Sequence, residues 1–126
     1  MFENLNKSFE SPFIDSALFD EAEFLSCEEL YKAYGSDKRF TVRGMWINTK
    51  SKFGEHPVLM IVAEVGGENI FYNMSCPQNL TDTVKAILQD NELVQGVNDG
   101  KCGVLVYTYH AKKYNRDCYS VKFIDL

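Results

Sequence analysis

The side chains best suited to hold a soft metal ion, or to act as a nucleophile with its base, are Cys27, Cys76, Cys102 and Cys118, with His56 and His110. Successive cysteines stand 49, 26 and 16 residues apart, so there is no CxxC pair and no compact zinc spacing. Cysteine is among the most often buried residue types, and these four read as reduced thiols packed as small apolar groups. A cysteine nucleophile served by His56 or His110 stays open, because such partners meet in space rather than along the chain. The sequence has no G-x-S-x-G, H-E-x-x-H or D-x-D pattern and no phosphate-cradling loop. The expectation is a chain that is not an enzyme and carries no metal or cofactor.

Binding chemistry is better represented. Single-stranded nucleic acid needs cations that track phosphates and flat rings on which bases stack, since every base has a π-face. Two stretches offer both: Lys50, Lys52 and Phe53 beside His56, and His110, Lys112, Lys113, Tyr114 and Arg116. Arg43, of opposite parity to Trp46, is the strand cation expected nearest a groove. Long basic side chains also occur in exposed loops of almost any protein, so the argument rests on two stretches agreeing. Charge adds a third feature. The net value of -5 hides nine acids against two bases in residues 1–37 and eleven bases against nine acids thereafter. The acidic leading segment carries Phe9, Phe13 and Phe19 with Asp20, Glu21 and Glu23, which reads as a surface for a protein partner or as a solvated leader.

The elements that must position these residues can be read from periodicity. With 126 residues, 45% of them hydrophobic, the chain suits one core. Residues 1–25 show no sustained period, and Pro12 interrupts any early helix, so they read as an N-terminal arm, either free or draped on the body, of a domain spanning residues 26–126. Ser26 and Glu29 have capping-box spacing, which predicts a short helix from Cys27 to Tyr34 ahead of Gly35. Phe40 to Ile47 alternates as a strand, with a bulge or bend at Gly44. Pro57 opens the apolar run Val58–Ala63, a buried second strand, and Gly66-Gly67 turns into a third at Asn69–Met74. Asn79 then caps a helix through Leu88, and Asn91 a shorter one. The last two strands, Gly103 to Ala111 and Asp117 to Ile124, form a hairpin. Centred on Tyr114, it sets Tyr109 opposite Tyr119, Tyr107 opposite Val121 and Leu105 opposite Phe123, a stripe that is either core or stacking platform. The expected fold is mainly β (α+β): a five-stranded OB-like barrel with a helix between strands three and four, preceded by the acidic arm and short helix. In such a barrel the two basic stretches are the loops flanking the binding groove.

The run Val42-Arg43-Gly44-Met45-Trp46-Ile47-Asn48-Thr49-Lys50-Ser51-Lys52-Phe53-Gly54, the helix Leu80-Thr81-Asp82-Thr83-Val84-Lys85, and the ending from Gly100-Lys101-Cys102-Gly103 to Tyr119-Ser120-Val121 resemble small proteins of phages and mobile elements of gut Firmicutes. Those proteins are treated as OB-like relatives of single-stranded DNA binders, and the resemblance covers roughly residues 38 to 126. It implies a nucleic-acid role for Arg43, Lys50, Lys52, Phe53, Lys112, Lys113, Tyr114 and Arg116. Housekeeping single-strand binders carry a flexible C-terminal tail with an acidic tip. Here Phe123-Ile124-Asp125-Leu126 follows a strand and the acids sit at the other end, which points away from ordinary replication service. The leading expectation is a non-catalytic single-stranded DNA-binding protein of a phage or mobile element. The alternative is an anti-defence inhibitor of the anti-CRISPR type, which binds a host protein and blocks a nucleic-acid site with its acidic arm. No apolar run approaches the roughly 20 residues that span a bilayer. The start Met1-Phe2-Glu3-Asn4 lacks the character of a signal peptide, so a cytoplasmic protein of a bacterial cell is expected. The sequence does not specify the oligomeric state, or DNA over RNA.

Overall fold

The computed structural model describes residues 11–52 and 54–126. After a 3-10 turn at Ser16–Phe19, the elements run β1 (Glu23–Ser26), α1 (Cys27–Tyr34), β2 (Phe40–Asn48), β3 (His56–Val65) and β4 (Glu68–Ser75). A second 3-10 turn, Gln78–Leu80, leads into α2 (Thr81–Leu88), followed by α3 (Asn91–Asn98), β5 (Cys102–Ala111) and β6 (Arg116–Asp125). Local chemistry explains several boundaries. Ser26 Oγ accepts the Glu29 amide at 3.1 Å while the Glu29 carboxylate accepts the Ser26 amide at 3.1 Å, so the capping box starts α1 as its spacing predicts. Gly66 and Gly67, with φ of 58° and 83°, make the left-handed pair that a two-residue hairpin turn requires. The other two caps differ from expectation. Asn79 lies inside the second 3-10 turn, and α2 begins after it with no side-chain cap. Asp90, rather than Asn91, caps α3 by accepting the amides of Glu92 and Leu93.

The strands form one mainly antiparallel sheet in the order β1-β4-β3-β2-β5-β6, curled into a half-barrel. It holds six strands rather than five, the addition being the short β1, which pairs parallel to β4. Leu30 of α1, Val84 of α2 and Val97 of α3 pack with Phe40, Val42, Leu59, Ile61, Val104 and Val106 of the sheet in one core. The register shift in β2 falls between Val42 and Gly44. A glycine suits that bulge because a Cβ at position 44 would stand 3.1 Å from Phe13 and closer still to the tip of Met60.

The described part of the N-terminal arm lies on the body, and two expectations change: Phe13 and Phe19, each only 3% exposed, are core rather than partner contacts, and the last hairpin shifts its register. Phe19 meets Phe71 edge-on, and the buried Asn73 amide donates to the carbonyls of Phe19 and Ala22. Burying these rings stabilises the fold more than leaving them in water as a contact surface. Phe9 lies outside the described residues. The hairpin is also one residue out of the expected register. Ala111 pairs with Arg116 across a four-residue loop, so the centre falls between residues 113 and 114, and Tyr109 faces Cys118, Tyr107 faces Ser120 and Leu105 faces Lys122. A one-residue slip exchanges the faces of a strand. Val104, Val106 and Val121 therefore turn inward, and Tyr107 and Tyr109 turn outward.

Candidate nucleic-acid interface

The β5–β6 hairpin gathers rings and cations on its outward side. At its tip Asn115 takes a left-handed conformation, φ 48°, which asparagine tolerates better than most residues. The Tyr114 amide bonds back to Ala111 O at 3.2 Å. Tyr114 is left 60% exposed, with Lys113 Nζ 5.5 Å and the Arg116 guanidinium 5.4 Å from its ring centroid, both in cation–π range. Along the outward face Tyr109 and Tyr107 follow, their centroids 5.9 Å apart and each 41% exposed. Lys122 is exposed opposite Leu105 on the same face. Lys112 is exposed in the tip. His110, of opposite parity to Tyr109, is held by Asp117 at 3.3 Å and belongs to the other face.

The second basic stretch is the β2–β3 loop. Lys50 and Lys52 are exposed there, with the Lys50 amide held by Asn48 Oδ1 at 3.0 Å. Phe53 lies outside the described residues. Glu55 pairs with Lys85 of α2 at 2.5 Å, anchoring the loop to the helical connection. A Cβ on Gly54 would fall 2.5 Å from the Gln78 side chain. The neighbouring Pro77 shares a cleft of about 540 Å³ with Tyr109, Arg116 and Cys118. The Pro77–Gln78 step thus stands between the two basic stretches.

Arg43 does not join the hairpin cations, because its guanidinium is engaged by Asp15 and the end of α3. It is the extra residue at the Gly44 bulge, which re-aims its side chain. Its Nε donates to Asp15 Oδ2 at 2.6 Å, and its terminal nitrogens donate to the carbonyls of Val97 and Asn98 at 3.3 and 3.2 Å. It fastens the N-terminal segment to the end of α3. Of the arm residues, Asp20, Glu21 and Glu23 are exposed, beside exposed Leu18 and Phe24. Phe24 stands edge-on to Trp46 at 6.3 Å.

Sequence reasoning missed Lys122 and could not choose between core and platform for Tyr107 and Tyr109. The only available signal was loop length, which fixes hairpin parity. Burial and the nearby Asp125 push Cys102 up to about 11, and the Cys27 thiol together with burial pushes Cys76 well above its usual value. Among the described residues no group of three or more His, Cys, Asp or Glu side chains can hold a metal ion, and no helix is long and apolar enough to cross a membrane. Protein-family profiles, curated proteins and solved structures show no match to this chain.

Proposed function

We propose that the chain is a non-catalytic, OB-like binder of single-stranded DNA from a phage or mobile element, acting in the cytoplasm of a bacterial host through the outward face of the β5–β6 hairpin. The observation that carries this reading is Tyr114, exposed between Lys113 and Arg116 and continued by Tyr109 and Tyr107. Bases stack on the rings, while phosphates engage Lys112, Lys113, Arg116 and Lys122. The strand order supports the OB-like assignment. The neighbour order of β2 to β6 is that of an OB barrel opened between its third and last strands, with the parallel β1 on the third strand's free edge. Fluorescence anisotropy with a labelled single-stranded oligonucleotide tests the reading. With four cations engaged, log affinity falls against log salt with a slope of about -3, from roughly 0.7 per phosphate on single strands. Neutralising Lys112, Lys113 and Arg116 flattens the slope and lowers affinity. Unchanged binding in that variant, with its melting temperature kept, removes the hairpin interface.

A second reading, an anti-defence inhibitor of the anti-CRISPR type, is favoured by one observation: Asp20, Glu21 and Glu23 are exposed beside Leu18 and Phe24. Carboxylates interleaved with apolar groups suit the basic nucleic-acid site of a host protein. Phe13 and Phe19 contribute only by holding this segment in place.

A further inference from the structure

Parallel strands β1 and β4 pair Ser26 with Ser75 at their ends, so Cys27 and Cys76 are the next residues on two adjacent stretches of chain. Neighbouring strands lie about 4.8 Å apart, and the sulfur of Cys27 reaches the carbonyl of Ser75, the residue bonded to Cys76, so the two side chains leave the strand ends beside each other. Both side chains are buried, at 3% and 5% exposure. Cys27 Sγ donates to Ser75 O at 3.6 Å, and Cys76 Sγ donates to Met74 O at 3.6 Å. The neighbouring Cys27 thiol, with burial, raises the Cys76 value. Both residues line the cleft of about 540 Å³ that Tyr109, Arg116 and Cys118 share, which gives a small reagent a route to them.

We propose that Cys27 and Cys76 are an oxidation site that closes to a disulfide by exchange with a low-molecular-weight disulfide such as oxidised glutathione. One protein thiol loses its proton to solvent, and its thiolate attacks a reagent sulfur, giving a mixed disulfide and one reagent thiolate. The second protein thiol then loses its proton and attacks the protein-side sulfur of the mixed disulfide, releasing the second reagent thiolate. Two electrons pass from the cysteine pair to the reagent, and the two protons end on the released thiols. The new bond ties the start of α1 to the end of β4 and encloses β2 and β3, which restricts the unfolded chain and stabilises the oxidised form. The inference does not depend on nucleic-acid binding. Cys118 lines the same cleft but belongs to β6, and Cys102 lies beside Asp125, so the pairing is specific to residues 27 and 76.

The full chain is incubated with oxidised glutathione below its melting temperature, alkylated, and analysed by intact mass and peptide mapping. The expected product has lost two hydrogen masses, keeps Cys102 and Cys118 alkylatable, and yields a cross-linked peptide joining Cys27 to Cys76. Its melting temperature rises and returns to the starting value with dithiothreitol. Cys76→Ser abolishes both the cross-link and the rise, and where that variant does not fold, the peptide map of the unaltered chain decides alone. Four alkylatable thiols after incubation, a cross-link through Cys102 or Cys118, or an unchanged melting temperature in the cross-linked product overturns the proposal.

Discussion

Tyr114 touches little of the body, so its replacement isolates binding from folding. Tyr114→Ala is expected to weaken single-stranded DNA binding by about 1–3 kcal/mol, the usual worth of one stacked base, with the melting temperature unchanged. Tyr109→Ala is expected to do the same, and equal affinity of both variants and wild type would show that no base stacks on this face. A different tyrosine reports on the fold. The hydroxyls of Tyr34 and Tyr72 lie 2.7 Å apart, joining the end of α1 to β4. The Tyr34 hydrogen bond, with burial, pushes Tyr72 from 10.0 up to about 12. The folded state therefore holds this proton more tightly than the unfolded state. The resulting stability is fully present below pH 10 and is lost as pH rises from 10 to 12. Tyr72→Phe should melt below wild type at pH 8, and the gap should narrow between pH 10 and 12. A gap constant over that range contradicts the assignment.

At the scale of elements, the Gly44 bulge brings β2, β3 and the N-terminal segment together. A methyl group at position 44 displaces the flexible end of Met60, but it also presses on Phe13, whose ring is fixed in the core. Gly44→Ala is expected to destabilise by about 1–3 kcal/mol, as overpacking in a core does. A circular-dichroism melt measures this, and an unchanged midpoint would mean that Phe13 is not held as described. The bulge, the α1 capping box and the Gly66-Gly67 turn were legible in the sequence because each depends on residues within a few positions of one another. The basic hairpin tip was legible for the same reason. The outward position of Tyr107 and Tyr109 was not, since one residue of loop length decides which face they take. Nor was the four-residue β1, whose partner β4 lies some 49 positions away, or the pairing of Arg43 with Asp15. These depend on long-range packing that local patterns do not encode.

Across the whole molecule, charge is divided between a basic hairpin tip and an acidic segment around Asp20, Glu21 and Glu23. Deleting residues 1–25 does not probe that division cleanly, because it removes Phe13, Phe19, most of β1 and the Asp15 partner of Arg43. The truncated chain is expected to lose its cooperative melt. Substituting Asp20→Asn, Glu21→Gln and Glu23→Gln together removes three of the five net negative charges at exposed positions, so the fold should survive. If these carboxylates act only through the overall field, single-stranded DNA affinity should rise severalfold at low salt. The gain should fade near 0.1 M, where charges more than about 10 Å apart are screened. That salt-dependent gain is the expected outcome for a nucleic-acid binder whose acids sit away from its interface. An inhibitor that docks through this segment behaves differently: the triple variant loses its protein partner while DNA affinity stays level at every salt concentration. A fall in DNA affinity at an unchanged melting temperature would contradict both readings, because it would place the carboxylates in the nucleic-acid interface itself.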